Sequence, residues 1–351
     1  MKRGGVSSPR RAESAAPPRR RSKYTDPFDP RLYLPESRSP EMEALIRKVE
    51  ETLSIRVPQG KTTDEIARAR EEMMQGFQLV KYVSKRALWW EIPDHDRKVA
   101  LRVFPRNCPR GVLLHIHGGG WWAGTADMQD ELLERYSERL DVAVASVEYR
   151  LAPEYPYPAA PDDCELAARW LAGNARSVFG SGRLLVAGES AGAHLAAVTL
   201  LRMRDTRYGG AFAGASLVFG MYDLSGLPSH TSQDDRNLIL NSRLLRWIVD
   251  RFVPDPSVRK HPDVSPLYAN LAGLPRALFT VGTLDPLLDD SLFMFSRWIA
   301  AGSPADLAVY PGGVHGFIGM DPTPESIEAD RRIEAFLAQC LEEAPGETPS
   351  A

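Results

Sequence analysis

Short apolar runs and helix-spaced apolar positions alternate along most of this 351-residue chain. Runs rich in Val, Leu, Ile, Ala and aromatic residues predict strands at 87–92, 98–104, 111–116, 142–149, 184–188, 215–220, 277–282 and 305–310. Pro93-Asp94-His95-Asp96 lies between the first two and reads as the turn of an antiparallel hairpin. Helical patterns over 128–140, 160–171 and 290–301 separate later strands. That alternation predicts an α/β fold: a mostly parallel eight-stranded sheet with helices on both faces.

Two stretches fall outside the rhythm. Met42, Leu45, Ile46, Val49 and Leu53 recur at helical spacing, and Thr63-Asp64-Glu65-Ile66 opens a second helix with Met73 and Met74 near its end. Residues 39–84 therefore read as amphipathic helices placed before the sheet. The gap between the sixth and seventh strands exceeds a simple crossover and carries a helical pattern over 238–252. We read 222–262 as an insertion folding over the sheet beside the N-terminal helices, within a catalytic domain spanning 85–345. Residues 1–38 are rich in Pro, Ser and Arg and read as a loose tail.

Charge sharpens this division. Residues 1–23 hold eight Lys or Arg against one acid, Glu13, so an overall charge of −3 leaves about −10 on the remainder. An acidic body is a poor partner for nucleic acid. No apolar run reaches the ~20 residues that span a bilayer, so no stable membrane anchoring is expected. Arg10-Arg11 and Arg19-Arg20-Arg21 are followed by no hydrophobic segment, which argues against a signal peptide. Cys108, Cys164 and Cys340 stand far apart, a usage suited to free thiols and a cytoplasmic location. No His, Cys, Asp and Glu cluster has metal-ligand spacing.

The chemistry concentrates at strand ends. Gly188-Glu189-Ser190-Ala191-Gly192 follows an apolar strand and precedes a helix-like segment, the setting of the nucleophile elbow. An activated Ser needs a base and an orienting acid. Asp285 follows the 277–282 strand and His315 follows the last strand, giving the chain order Ser, Asp, His. Asp289 and Asp290 are near rivals of Asp285 that also suit a helix start. At the third strand's end, His117-Gly118-Gly119-Gly120-Trp121-Trp122 offers backbone donors for an oxyanion, joined by the amide of Ala191. His117 reads as ordering this loop rather than moving protons. His194 reads as packing under the elbow, His115 as buried, and His95, His230 and His261 as loop residues. Arg150 and Glu154 read as braces, and Trp121 and Trp122 as pocket wall or core.

With these motifs in this order, residues 85–340 resemble the hormone-sensitive-lipase-like esterases, the bacterial family IV branch of the α/β hydrolases. Tyr149-Arg150-Leu151-Ala152-Pro153-Glu154 and His315-Gly316-Phe317 add to the match. The resemblance implies a Ser190-His315-Asp285 carboxylic ester hydrolase that needs no cofactor and works under a helical cap. It assigns the oxyanion donors to the amides of Gly119, Gly120 and Ala191, with Gly118 shaping the turn, and suggests a homodimer paired through the last strand. Glu189 departs from the family's usual Asp. The expected substrate is a small-molecule ester with an acyl chain of about two to eight carbons, since a cap bounds the pocket. The same triad also suits a deacetylase or amidohydrolase of a specialised metabolite. A non-hydrolytic receptor or lyase on this fold is the remaining reading, and the presence of His315 counts against the receptor.

Overall fold

The structure, a computed structural model, describes residues 29–52, 57, 62–77, 82–94, 97–232, 234, 236 and 238–342. Side chains at 73–77, 94 and 97 fall outside that description, as do residues 1–28, so the basic segment, Met73, Met74 and His95 do too.

Eight strands form one sheet: β1 (Leu88–Asp94), β2 (Arg97–Phe104), β3 (Gly111–Ile116), β4 (Val142–Glu148), β5 (Leu184–Glu189), β6 (Phe212–Val218), β7 (Arg276–Gly282) and β8 (Ala305–Tyr310). Their spatial order is β1-β2-β4-β3-β5-β6-β7-β8. β1 pairs antiparallel with β2 and β2 with β4, and every later pair is parallel. Every residue of β3 is buried, and so is every residue of β5 except Glu189 at its end. Continuous apolar runs such as Val112-Leu113-Leu114 suit strands covered on both faces. The helices supply that cover: α3 (Asp130–Leu140) packs against α8 (Pro324–Glu342), while α4 (Ala159–Phe179) packs against α5 (Ala191–Arg204). α7 (Leu288–Ala300) covers β7 and β8.

Several boundaries move for local reasons. β6 was expected at 215–220 but ends at Val218, because Phe219 takes a left-handed conformation (φ 38°) that breaks the extended run. α4 continues past 171 and stops at Gly180, whose φ of 87° closes the helix. α8 was not among the helices read from the pattern. Residues 29–38, expected as part of a loose tail, carry 3-10 turns at Pro30–Tyr33 and Pro35–Ser37, with Leu32 buried. Glu325 of α8 then accepts from the amide of Ser39 (2.9 Å) and its hydroxyl (2.6 Å), fixing the entry of α1 (Pro40–Thr52).

α2 (Thr63–Phe77) follows α1. The 222–262 stretch contains a 3-10 turn at Pro228–Thr231 and α6 (Ser242–Phe252). α6 starts at 242 rather than 238 because Asn241 caps it, its side chain accepting from the Leu244 amide at 3.0 Å. Cys108, Cys164 and Cys340 form no disulfide among the described residues, and the last two are buried.

Candidate active site

Four loops meet at the carboxyl ends of the parallel strands, where an open α/β sheet builds its sites. Ser190 links β5 to α5 with φ 55° and ψ −119°, a strained conformation for a residue with a side chain. The strain persists because the neighbours leave no alternative: a Cβ at Gly192 would lie 1.9 Å from the Ile116 carbonyl oxygen, so only glycine lets α5 approach β3. The Ser190 amide donates to Val218 at 2.9 Å, tying the turn to β6.

Three side chains then form one hydrogen-bonded line. His315 Nε2 stands 2.9 Å from Ser190 Oγ, and its Nδ1 stands 2.9 and 3.1 Å from the two oxygens of Asp285. Asp285 is buried, and its Oδ1 also accepts from the Leu287 amide at 2.8 Å. A carboxylate only accepts, so Nδ1 carries the proton and Nε2 is free to accept from the Ser190 hydroxyl. The rival carboxylates are engaged elsewhere. Asp289 accepts from the Ser229 amide at 2.9 Å, and buried Asp290 accepts from the amides of Tyr222 and Asp223 and from His230 Nε2 at 2.7 Å. His230 is thus a buried partner of Asp290, not the loop residue expected.

Facing the Ser, the glycine loop turns with φ 117° at Gly119 and 61° at Gly120. A Cβ at Gly119 would meet the Ala123 carbonyl oxygen at 2.0 Å, which fixes that residue type. Among the described residues, the amides of Gly119, Gly120 and Ala191 donate no hydrogen bond. Ala191 also opens α5, so the helix dipole adds to its amide. The Gly118 carbonyl is held instead, by His117 Nδ1 at 2.7 Å and by the Tyr149 hydroxyl at 3.4 Å. His117 stacks on Tyr149 at 4.2 Å, and burial drives its pKa down to about 3. A neutral ring that bonds the loop is a positioning group.

The supports around this line are also resolved. His115 bonds Ser146 through Nδ1 (2.8 Å) and the Glu189 carboxylate through Nε2 (3.1 Å). His194 accepts from Trp121 Nε1 at 3.1 Å and donates from Nε2 to the Val264 carbonyl at 2.8 Å, with burial lowering its pKa to about 4. Trp121 stacks on Phe252 at 4.5 Å, and Trp122 meets Trp247 edge to face at 4.9 Å. Both tryptophans are almost fully buried, and both still contribute to a cavity of about 840 Å³ that opens beside Ser190 and His315. Leu240, Leu244, Leu245 and Ile248 help to line it, the last three from α6.

Residues 113–319 match the family model for the alpha/beta hydrolase fold. Carboxylesterase NlhH of Mycobacterium tuberculosis is 35% identical over 243 residues, covering 66% of this chain and 74% of the relative. An esterase structure from the archaeon Pyrobaculum calidifontis superposes with a TM-score of 0.75 at 27% identity, over 86% of this chain and 98% of that one. A hormone-sensitive lipase structure from a metagenome library gives 0.71 at 25% identity, over 86% and 97%. The chain belongs to the hormone-sensitive-lipase-like carboxylesterases of the α/β-hydrolase fold.

As a member of this family the chain has one local departure with a visible contact. The longer Glu189 side chain reaches back to His115, whose other nitrogen is tied to β4 through Ser146. One element of the site was missed in the sequence. Arg70 of α2 grips Glu154 with both Nη atoms (3.0 and 2.7 Å), donates to the Ala152 carbonyl at 2.9 Å and bonds the Trp122 carbonyl through Nε. Burial alone would raise the Glu154 pKa, but the guanidinium overrides it and holds the carboxyl below its usual range. Arg150 makes the second brace, bidentate to buried Asp163.

Proposed function

We propose that this carboxylesterase hydrolyses short- to medium-chain esters with Ser190 as nucleophile, His315 as general base and acid, and Asp285 as the orienting carboxylate. The observation that carries the reading is the continuous line from Asp285 through His315 to Ser190 Oγ, lying beside three unspent amides. Ser190 Oγ attacks the ester carbonyl while His315 Nε2 takes its proton, and Asp285 stabilises the resulting imidazolium. The carbonyl oxygen, now an oxyanion, accepts from the amides of Gly119, Gly120 and Ala191; one such donor is typically worth ~3 kcal/mol in the transition state. His315 protonates the departing alcohol, then activates water to release the acid.

A cavity of about 840 Å³ with aliphatic side chains in its lining favours small acyl and alcohol groups over long lipid chains. We read α1, α2 and the 222–262 insertion as the cap, with α6 supplying the aliphatic wall. We read the enzyme as cytoplasmic from its cysteine usage, three residues far apart in sequence. Pairing of two copies through β8, an edge strand of the sheet, goes with the same reading.

The test is pre-steady-state hydrolysis of p-nitrophenyl acetate. The wild-type protein is expected to release a burst of p-nitrophenol approaching one per chain, and Ser190→Ala to lose both burst and turnover by at least about 10⁴-fold. Turnover by Ser190→Ala at the wild-type rate would sink the reading.

A further inference from the structure

The lining of the cavity beside Ser190 differs in character from element to element. α6 gives it aliphatic side chains, Leu244, Leu245 and Ile248. α3 and α8 bring charged groups, Glu131, Arg135 and Asp330, set among Leu132, Ile327 and Ile333. There Asp330 Oδ2 accepts from Arg135 Nη2 at 2.8 Å, while Asp330 Oδ1 is buried and meets no partner. The Gln129 side-chain oxygen is likewise buried without a partner. So is the hydroxyl of Ser216, a residue with no exposed surface that lines the cavity from β6. Buried polar atoms are nearly always satisfied in native proteins, so three orphans in the lining of one cavity call for a ligand or ordered water.

The balance of groups says what kind of ligand. Glu189, one residue before the nucleophile, lines the same cavity, and Glu131 stands exposed at its edge. The facing guanidinium, Arg135, gives Nη2 to Asp330, and its Nε lies 3.6 Å from Glu334. Arg135 Nε is itself buried without a hydrogen-bond partner, yet the unpaired acceptors, Asp330 Oδ1 and Gln129 Oε1, still outnumber that one unpaired guanidinium nitrogen. Burial also raises the Asp330 pKa; Arg135 and Arg139 oppose that rise, while Glu334 and Glu189 reinforce it. A donor arriving with the substrate relieves that cost, whereas a methyl group leaves every acceptor orphaned.

We propose that these groups form a specificity subsite for an ester arm terminating in a hydrogen-bond donor, a hydroxyl or an ammonium, received by Asp330, Gln129 and Ser216. The inference rests on the esterase reading and names the substrate class of that same site. An arm ending in carboxylate is excluded by Asp330, Glu189 and Glu131.

The test compares isosteric ends on each arm of the ester. Methyl ω-hydroxyhexanoate and methyl ω-aminohexanoate are set against methyl heptanoate on the acyl side. Butyl acetate is set against its analogue with a hydroxyl in place of the terminal methyl on the alcohol side. On one of the two arms, kcat/KM for a donor-ended ester is expected to exceed that of its methyl-ended partner by about tenfold or more, the effect of one hydrogen bond to a charged acceptor. The hydroxyl and ammonium esters then show which donor is preferred. In Asp330→Ala that ratio is expected to fall to about one; measured on a single preparation, it is insensitive to any loss of folded enzyme. Equal or better hydrolysis of both methyl-ended esters by the wild type overturns the proposal, as does a preference that survives Asp330→Ala. Those outcomes leave the esterase reading standing, whereas failure to hydrolyse any of the esters defeats both.

Discussion

Burial decides whether a histidine that supports the site can hold charge. His117 and His194 are enclosed and uncharged, with pKa values driven down to about 3 and about 4 from an ordinary 6.5. Below pH 6.5 the unfolded chain binds a proton at each site that the folded chain refuses. Their contribution to stability is thus complete above about pH 6.5 and drains away as pH falls towards the folded values. Each ring costs about 2 kcal/mol between pH 6.5 and 5. His117→Asn keeps an amide donor near the Gly118 carbonyl but cannot titrate. Urea unfolding at pH 7 and pH 5 is expected to show a loss about 2 kcal/mol smaller for this variant than for the wild type; an equal loss would contradict a neutral, buried His117. Ser190, Asp285 and His315 are legible in sequence because each stands just past a predicted strand in a local motif. Asp330 and the His230–Asp290 pair are not, since the partners lie 195 and 60 residues apart and no local pattern announces them.

Among the elements, α2 reaches the active-site loops through the side chain of Arg70. Arg70 bonds Glu154, the Ala152 carbonyl and the Trp122 carbonyl, so it ties α2 to the loop that carries Gly119 and Gly120. Both members of the pair are less than a third exposed, which limits solvent screening. Arg70→Ala is expected to cost about 2–3 kcal/mol of stability and to raise KM for p-nitrophenyl butyrate, because the glycine loop loses its outer support. Arg70→Lys recovers little of this, as one ammonium cannot span a carboxylate and two carbonyls. Thermal unfolding and initial rates check both statements, and wild-type values for Arg70→Ala would refute them. Element types read well from periodicity, since strands covered on both faces are unbroken apolar runs. Element ends read poorly, because they depend on single conformations such as that of Phe219 or on caps such as Asn241.

On the scale of the whole molecule, the sheet brings residues 117–122, 189–191, 285 and 315 to one edge. β3 and β5 are adjacent in the sheet, and this places the glycine loop opposite the Ser. The strand count, the antiparallel start and the parallel remainder follow from the order of runs along the sequence. The cavity does not. Its lining depends on α6 for aliphatic side chains and on α8 meeting α3 for charged ones. Both are contacts between distant segments.

The central claim is that Ser190 is the attacking group, and covalent trapping tests it most directly. The wild-type protein is treated with a fluorophosphonate, and its intact mass and peptide map are recorded. The account predicts one phosphonyl group per chain, on the peptide carrying Ser190, with none on Ser190→Ala. A label on another residue, or full labelling of Ser190→Ala, would contradict it.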